Sequence, residues 1–66
     1  MQIVVNGETR EVPDHLTVAT LVEYLDLPNE RTAIERNREV VRRADWPSVA
    51  VTDDDRIEIV HFVGGG

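Results

Sequence analysis

The part of the sequence best suited to chemistry is its end, where Val63-Gly64-Gly65-Gly66 follows Phe62. These four residues reach about 13 Å when extended, at roughly 3.3 Å each, which is enough to enter a narrow channel in another protein. Gly64 and Gly65 have no Cβ, so the backbone and the Gly66 carboxylate can approach the wall of a partner's active site closely. A terminal run of glycines is also typical of a frayed end without function. The segment before the tail therefore decides between the two interpretations.

The remaining acid–base and metal-binding side chains form no constellation. There are two histidines and no cysteine, which excludes cysteine-rich zinc sites. We expect His61 to be structural, because it falls on the core-side parity of its strand. Asp53-Asp54-Asp55 is interpreted as a solvated polar turn, and three glutamates show no pairing typical of general acid–base catalysis: Glu23, Glu30 and Glu35. We expect no catalytic residue and no metal ligand in the chain.

Length and charge narrow the function class. A chain of 66 residues forms one domain and buries only about 60% of its unfolded surface, which leaves no room for both a core and an enclosed cleft. A carrier, a binding module or an inhibitor is favoured over an enzyme. The formal net charge is −6 and the chain has no lysine. The negative charge argues against nucleic acid binding. Three explanations of the acidity stay open: solubility, docking to a basic partner surface, and the source environment.

The N-terminal segment has neither the basic region nor the apolar run of a signal peptide or membrane span. We therefore expect a cytoplasmic protein without membrane contact. Without lysine, the chain cannot form lysine-linked polymers of itself.

Hydrophobic periodicity predicts an α+β domain. A helix is expected to begin after the N-cap Thr17 and to stop at Leu27-Pro28-Asn29, with a buried stripe made of Val18, Leu21, Val22 and Leu25. Alternating segments and turn residues predict strands at Gln2–Asn6, Glu8–Val12, around Ile34 within Arg31–Asn37, Glu39–Val41 and Arg56–Phe62. This order is that of the β-grasp (ubiquitin-like) fold, with a mixed sheet of about four to five strands packed on one helix. The first and last strands are expected to be parallel neighbours at the centre.

A central strand leading into the tail favours a functional end over a frayed one. On that strand, Ile57 and Ile59 are expected to face the helix. Val60 and Phe62 then lie exposed beside the tail and form a candidate patch for docking a partner, since exposed apolar clusters often mark interfaces. The alternative is that they pack against a neighbouring strand or loop.

The whole chain resembles the ThiS family, the sulfur carriers of thiamine biosynthesis. The resemblance is carried by the stretch from Asp55 to Gly66, the segment from Ile34 to Val41, the Asn6-Gly7-Glu8 hairpin and the Thr17-Val18 helix start. The terminal glycines alone are weakly specific, since ubiquitin and the small subunit of molybdopterin synthase share them. The approach Val60-His61-Phe62-Val63 and the short length favour ThiS.

The resemblance implies a mechanism and partners. A ThiF-like adenylyltransferase would use ATP and magnesium to convert the Gly66 carboxylate to an acyl-adenylate. A sulfur donor such as a cysteine desulfurase would supply sulfur for a C-terminal thiocarboxylate, and thiazole synthase would take that sulfur into the thiazole ring of thiamine. The chain itself would bind no cofactor.

We expect residues 1–66 to form a single domain, monomeric when free, with a flexible tail over residues 63–66. Alternatives are sulfur transfer to molybdopterin or tRNA, conjugation to target lysines as a ubiquitin-like modifier, and a β-grasp interaction module with an inert tail.

Overall fold

A five-stranded mixed sheet and one helix make up the structure, which is a computed structural model describing residues 1–28 and 30–62. The elements in chain order are β1 (Gln2–Val5), β2 (Glu8–Glu11), α1 (Val18–Tyr24), β3 (Thr32–Arg36), β4 (Glu39–Val41), a short 3₁₀ helix (Arg43–Asp45) and β5 (Arg56–His61). The predicted tail over residues 63–66 and the Asn29 of the predicted helix stop lie outside the described residues.

The last strand lies at the centre of the sheet. The strand order is β2-β1-β5-β3-β4. β5 is parallel to β1, with Val5 opposite Ile57, and antiparallel to β3, with Ile34 opposite Ile59. The predicted β-grasp arrangement is therefore confirmed, including the parallel pairing of the first and last strands.

Helix α1 begins where the sequence predicts and is shorter than its apolar stripe. Thr17 is the N-cap and forms a capping box with Thr20, whose N–H donates to the Thr17 hydroxyl. Such a box satisfies backbone groups that the first turn leaves unpaired. The fully buried residues of the stripe are Val18, Leu21 and Val22. Leu25 is the C-cap and is only partly buried against the core, because the helix ends one residue before it.

The segment between β4 and β5 closes one side of the core. It contains the 3₁₀ helix and Trp46, which is 5% exposed and donates its indole N–H to the Val41 carbonyl at 3.0 Å. The Val18 N–H donates to the Val49 carbonyl at 2.9 Å. The segment is thereby attached both to the sheet and to the first turn of α1.

Asp55 is buried, and its interpretation as part of a solvated turn is wrong. Its side chain is 4% exposed. The carboxylate accepts from Arg36 Nε at 2.7 Å, from Asn37 Nδ2 at 3.0 Å and from the Thr52 N–H at 2.8 Å. Burial raises the pKa of Asp55, but the bonds from Thr52, Asn37 and Arg36 outweigh it and leave that pKa below its ordinary value. Asp55 thus joins the β3–β4 turn to the start of β5, whereas Asp53 and Asp54 are exposed as predicted.

Candidate functional site

The candidate site is the C-terminal end of β5, from which the chain continues toward the glycines. Val60 is paired with Ala33 of β3. The Phe62 N–H donates to the Arg31 carbonyl at 2.7 Å, one residue beyond the end of the strand. The sheet therefore holds the backbone as far as Phe62. The residues assigned to the reactive end, Gly64, Gly65 and Gly66, lie outside the described residues.

The two residues of the candidate docking patch are accessible. Val60 is 51% exposed and Phe62 is 56% exposed. Ile57 is fully buried and Ile59 partly buried, so alternation along β5 turns Val60 away from α1. The prediction that both side chains are exposed is confirmed, and their contact with a partner stays a prediction.

The face that carries Val60 extends further across the sheet than the sequence reasoning proposed. Val40 on β4 is 70% exposed and pairs with Glu35 of β3, which in turn pairs with Glu58 of β5. The structure therefore places two carboxylates directly opposite each other between exposed valines. We call Val40, Glu35, Glu58, Val60 and Phe62 the outer face. In the sequence, Val40 alternates with Val41, which packs against the core. That alternation was the signal that could have placed Val40 on the same face as Val60.

Like charges directly opposite each other on neighbouring strands destabilise a sheet. Glu35 is partly exposed and Glu58 is exposed. Neither forms an ion pair among the described residues. The outer face therefore combines apolar side chains with uncompensated negative charge, which suits a partner surface that is apolar and basic.

Asn6 is a residue of the site that sequence reasoning assigned only to a turn. Its backbone has a φ of 48° and Gly7 has a φ of 83°, so the pair forms the predicted tight hairpin turn. Its side chain also binds β5: Oδ1 accepts from the Ile59 N–H at 2.7 Å and Nδ2 donates to the Ile59 carbonyl at 3.2 Å. The amide holds β5 immediately before the candidate docking patch of Val60 and Phe62. An Asn-Gly pair indicates the turn, but no local pattern indicates this contact across 53 residues.

His61 does not have the core-side position predicted for it. Its side chain is exposed, although it follows the parity of Ile57 and Ile59. The burial along β5 falls from Ile57 to Ile59 to His61, so the core ends before the strand does. The expected core-side position of the His61 side chain is therefore wrong, while the expectation that His61 is not catalytic stays a prediction.

Within residues 1–28 and 30–62, no three His, Asp or Glu side chains lie close enough together to hold a metal ion. In the same part of the chain, no helix is long and apolar enough to cross a membrane.

Comparison with known families settles the family. The ThiS family model matches residues 3–66. The chain belongs to the ThiS family. The match begins in β1 and extends through the three glycines, so β5, the candidate docking patch and the tail all fall within the ThiS region.

Individual ThiS relatives agree with this assignment. The sulfur carrier protein ThiS of Bacillus subtilis is 42% identical over 50 residues, which is 76% of each chain. The crystal structure of the thiamine biosynthesis protein ThiS from Geobacter metallireducens superposes with a TM-score of 0.88 at 33% identity, covering all of both chains.

A longer relative has a different name. A thiazole synthase of Paramagnetospirillum magneticum is 42% identical over all 66 residues. The chain spans about a fifth of the length of that protein. The remaining four fifths of that protein have no counterpart in the chain.

Proposed function

We propose that this protein is a sulfur carrier of thiamine biosynthesis and that the carboxylate of Gly66 is the group that is activated and loaded with sulfur. The observation that carries the proposal is the ThiS match, which includes the terminal glycines, on a fold whose central strand leads to them. The name of the Bacillus subtilis relative supports the sulfur-carrier role. The protein is the co-substrate of partner enzymes and not itself the catalyst.

The chemistry follows from the poor reactivity of a carboxylate. A carboxylate oxygen of Gly66 attacks the α-phosphorus of ATP on a ThiF-like adenylyltransferase, and the bond from that phosphorus to pyrophosphate breaks. Magnesium on the partner balances the phosphate charge. The terminal sulfur of a persulfide on a donor such as a cysteine desulfurase then attacks the acyl carbon, and AMP leaves. A thiol reduces the S–S bond of the resulting acyl disulfide and forms a new disulfide with the donor cysteine. The product left on the carrier is a thiocarboxylate at Gly66.

The composition of the chain limits where sulfur can be attached. A persulfide requires a thiol, and the 66 residues include no cysteine. The terminal acyl carbon is therefore the attachment point that remains. The attachment point is the same whichever acceptor finally takes the sulfur.

Thiazole synthase is the proposed acceptor enzyme. The Paramagnetospirillum magneticum thiazole synthase carries a segment similar to this whole chain within one much longer polypeptide. A carrier-like segment joined covalently to a synthase is present at high effective concentration beside it. This relationship supports thiazole synthase as the protein that receives sulfur from the present chain.

The outer face is the proposed docking surface for the activating enzyme. Val60 and Phe62 supply exposed apolar area next to the tail, and the Glu35–Glu58 pair supplies negative charge. Binding through these groups offsets the entropy of ordering the tail, about 1–2 kcal/mol per residue. Charge complementarity would also speed association with a basic partner.

Changing the length of the tail tests the proposal. Deleting Gly66 withdraws the carboxylate by roughly 3.3–3.6 Å along an extended chain, and a displacement of even 1 Å can cost about a hundredfold in rate. ATP–pyrophosphate exchange with the adenylyltransferase of the same organism should therefore collapse for the shortened protein. A variant extended by one glycine should fail as well, because its carboxylate overshoots the phosphate.

Two controls accompany this experiment. The melting temperature of both variants should match that of the wild type. Mass spectrometry of the protein from its native host should detect a thiocarboxylate at Gly66. Wild-type exchange rates in both length variants would show that the Gly66 carboxylate is not the reacting group.

A further inference from the structure

The two edges of β5 have different partners. On the β1 side, the Asp55 carbonyl accepts from the Val4 N–H at 2.9 Å. Two residues later, the Ile57 carbonyl accepts from the Asn6 N–H at 2.9 Å. Because backbone groups alternate in direction along a strand, the N–H and carbonyl groups of the odd-numbered residues of β5 point toward β1.

The backbone N–H and carbonyl groups of the even-numbered residues point toward β3. The Asn37 N–H donates to the Arg56 carbonyl at 2.8 Å at one end of this edge, and the Phe62 N–H donates to the Arg31 carbonyl at 2.7 Å at the other. β3 thus covers its edge of β5 along the whole strand.

β1 covers much less of the opposite edge. The parallel register of β1 ends at Val5 opposite Ile57. At the next odd position the Asn6 side chain replaces the strand and binds both the N–H and the carbonyl of Ile59. The hairpin turn at Asn6-Gly7 then carries the chain away toward β2.

His61 is the next residue on this edge. In the part of the chain that the structure describes, no strand lies beside it on the β1 side. Its side chain is exposed. We call the backbone N–H and carbonyl of His61 on this side the open edge. Unpaired strand edges are sites where another chain adds a strand.

We infer that the open edge pairs with an extended backbone segment of the activating adenylyltransferase, which adds a strand beside β5. The inference rests on the proposed function, since it names the partner of the same site. The open edge lies between Val60 and Phe62, which are both more than half exposed, so a strand placed there would contact apolar side chains as well.

A second copy of this chain is the less suitable occupant. The net charge of −6 opposes self-association. The exposed Glu58 is on the same strand, so two copies joined edge to edge would bring like charges together. A basic surface on another protein meets no such repulsion.

Replacing His61 by proline removes the N–H of the open edge and none of the hydrogen bonds that residues 1–28 and 30–62 form with one another. Proline is tolerated in strands where the N–H faces away from a neighbour, and Val60 before it is extended, as a residue preceding proline prefers. The matched variant is His61→Ala, which removes the side chain and keeps the N–H. A second comparison is Val60→Pro, whose lost N–H faces β3.

The readouts are the melting temperature and kcat/KM for ATP–pyrophosphate exchange. We expect His61→Pro to melt close to His61→Ala and to react about three- to tenfold more slowly, as expected for one lost hydrogen bond. Val60→Pro should melt well below both. Equal kcat/KM for His61→Pro and His61→Ala would overturn the open edge while leaving the proposed function intact.

Amide hydrogen exchange of the wild type gives a second test that requires no folded variant. The His61 amide should exchange rapidly in the free protein and become protected in the complex with the adenylyltransferase. An unprotected His61 amide in a saturated complex would overturn the inference, as would a wild-type dimer that His61→Pro dissociates. If the wild type itself is not adenylated, the proposed function fails and this choice of partner fails with it.

Discussion

Replacing Asp55 by asparagine should destabilise the fold strongly and in a pH-dependent way. The carboxylate is 4% exposed and lies 2.7 Å from Arg36 Nε. It also accepts from Asn37 Nδ2 and from the Thr52 N–H. Asparagine keeps the shape but replaces one acceptor oxygen by a donor that faces other donors. It also leaves the Arg36 guanidinium without its counter-ion.

The expected loss is about 3 kcal/mol. Breaking a buried ion pair by removing one partner costs about 3–5 kcal/mol. The Arg36 side chain is 29% exposed, so water partly solvates its charge and the lower end of that range applies. At about 0.05–0.15 kcal/mol per residue, a chain of 66 residues has a total stability of roughly 3–10 kcal/mol. The melting temperature should fall by about 12–24 °C.

The pH dependence identifies the carboxylate as the cause. The pKa of Asp55 is lower in the folded protein than its ordinary value of 3.8. Its contribution is therefore complete above that ordinary value and is lost as the pH falls through the folded pKa. In urea unfolding, the gap between wild type and Asp55→Asn should be widest near neutral pH and should narrow below about pH 4.

A matched control is available next to Asp55. Asp54 is exposed and has a φ of 68°, which asparagine adopts readily. Asp54→Asn should change stability by less than about 0.5 kcal/mol. An Asp55→Asn protein as stable as the wild type at neutral pH, or a gap that stays constant into acid, would refute this account of the network.

Three further outcomes are expected. Glu58→Gln should relieve the repulsion from Glu35 and raise stability by up to about 1 kcal/mol. It should also slow association with the adenylyltransferase and flatten the salt dependence of binding. Slower unfolding without a change in binding would place the partner elsewhere. Phe62→Ala should weaken that binding by about 1–3 kcal/mol and leave the melting curve unchanged, whereas a large drop in melting temperature would assign Phe62 to the core. Asn6→Gly keeps the positive φ and removes both contacts to Ile59. It should cost about 1 kcal/mol of stability and speed exchange of the Ile59 backbone amide relative to buried strand residues. Unchanged exchange at Ile59 would show that the Asn6 side chain does not hold the strand.

Most of the fold could be predicted from the sequence because its elements have strong local signals. The Asn6-Gly7 turn, the Thr17 cap and the apolar stripe of α1 each specify a short-range conformation, and the order of the strands then leaves few topologies. The alternation in β5 predicts which of its side chains face away from the helix, and Val60 is exposed as expected.

The features that could not be predicted depend on contacts between distant segments. Asp55 is part of an acidic run that is typical of a solvated turn, and only the fold brings Arg36, 19 residues away, against it. His61 has the parity of a core residue, but the core ends before the last residue of β5. Leu25 has the spacing of a buried helix residue, but α1 ends one residue before it and leaves it only partly buried. The second role of Asn6 depends on the parallel register of β1 and β5, which has no local signature.

The position of β5 at the centre of the sheet has a consequence for how the protein folds. Before residues 56–61 are available, the β1–β2 and β3–β4 hairpins share no strand, because β5 lies between β1 and β3. The pairing of Val4 with Arg56 joins residues 52 apart, and contacts so distant in sequence slow folding. During synthesis, the sheet can therefore close only after the ribosome has released the strand that leads to the glycines. A nascent chain cut short before β5 would present two unjoined hairpins to a protease, so incomplete carriers should be degraded before they can occupy the activating enzyme.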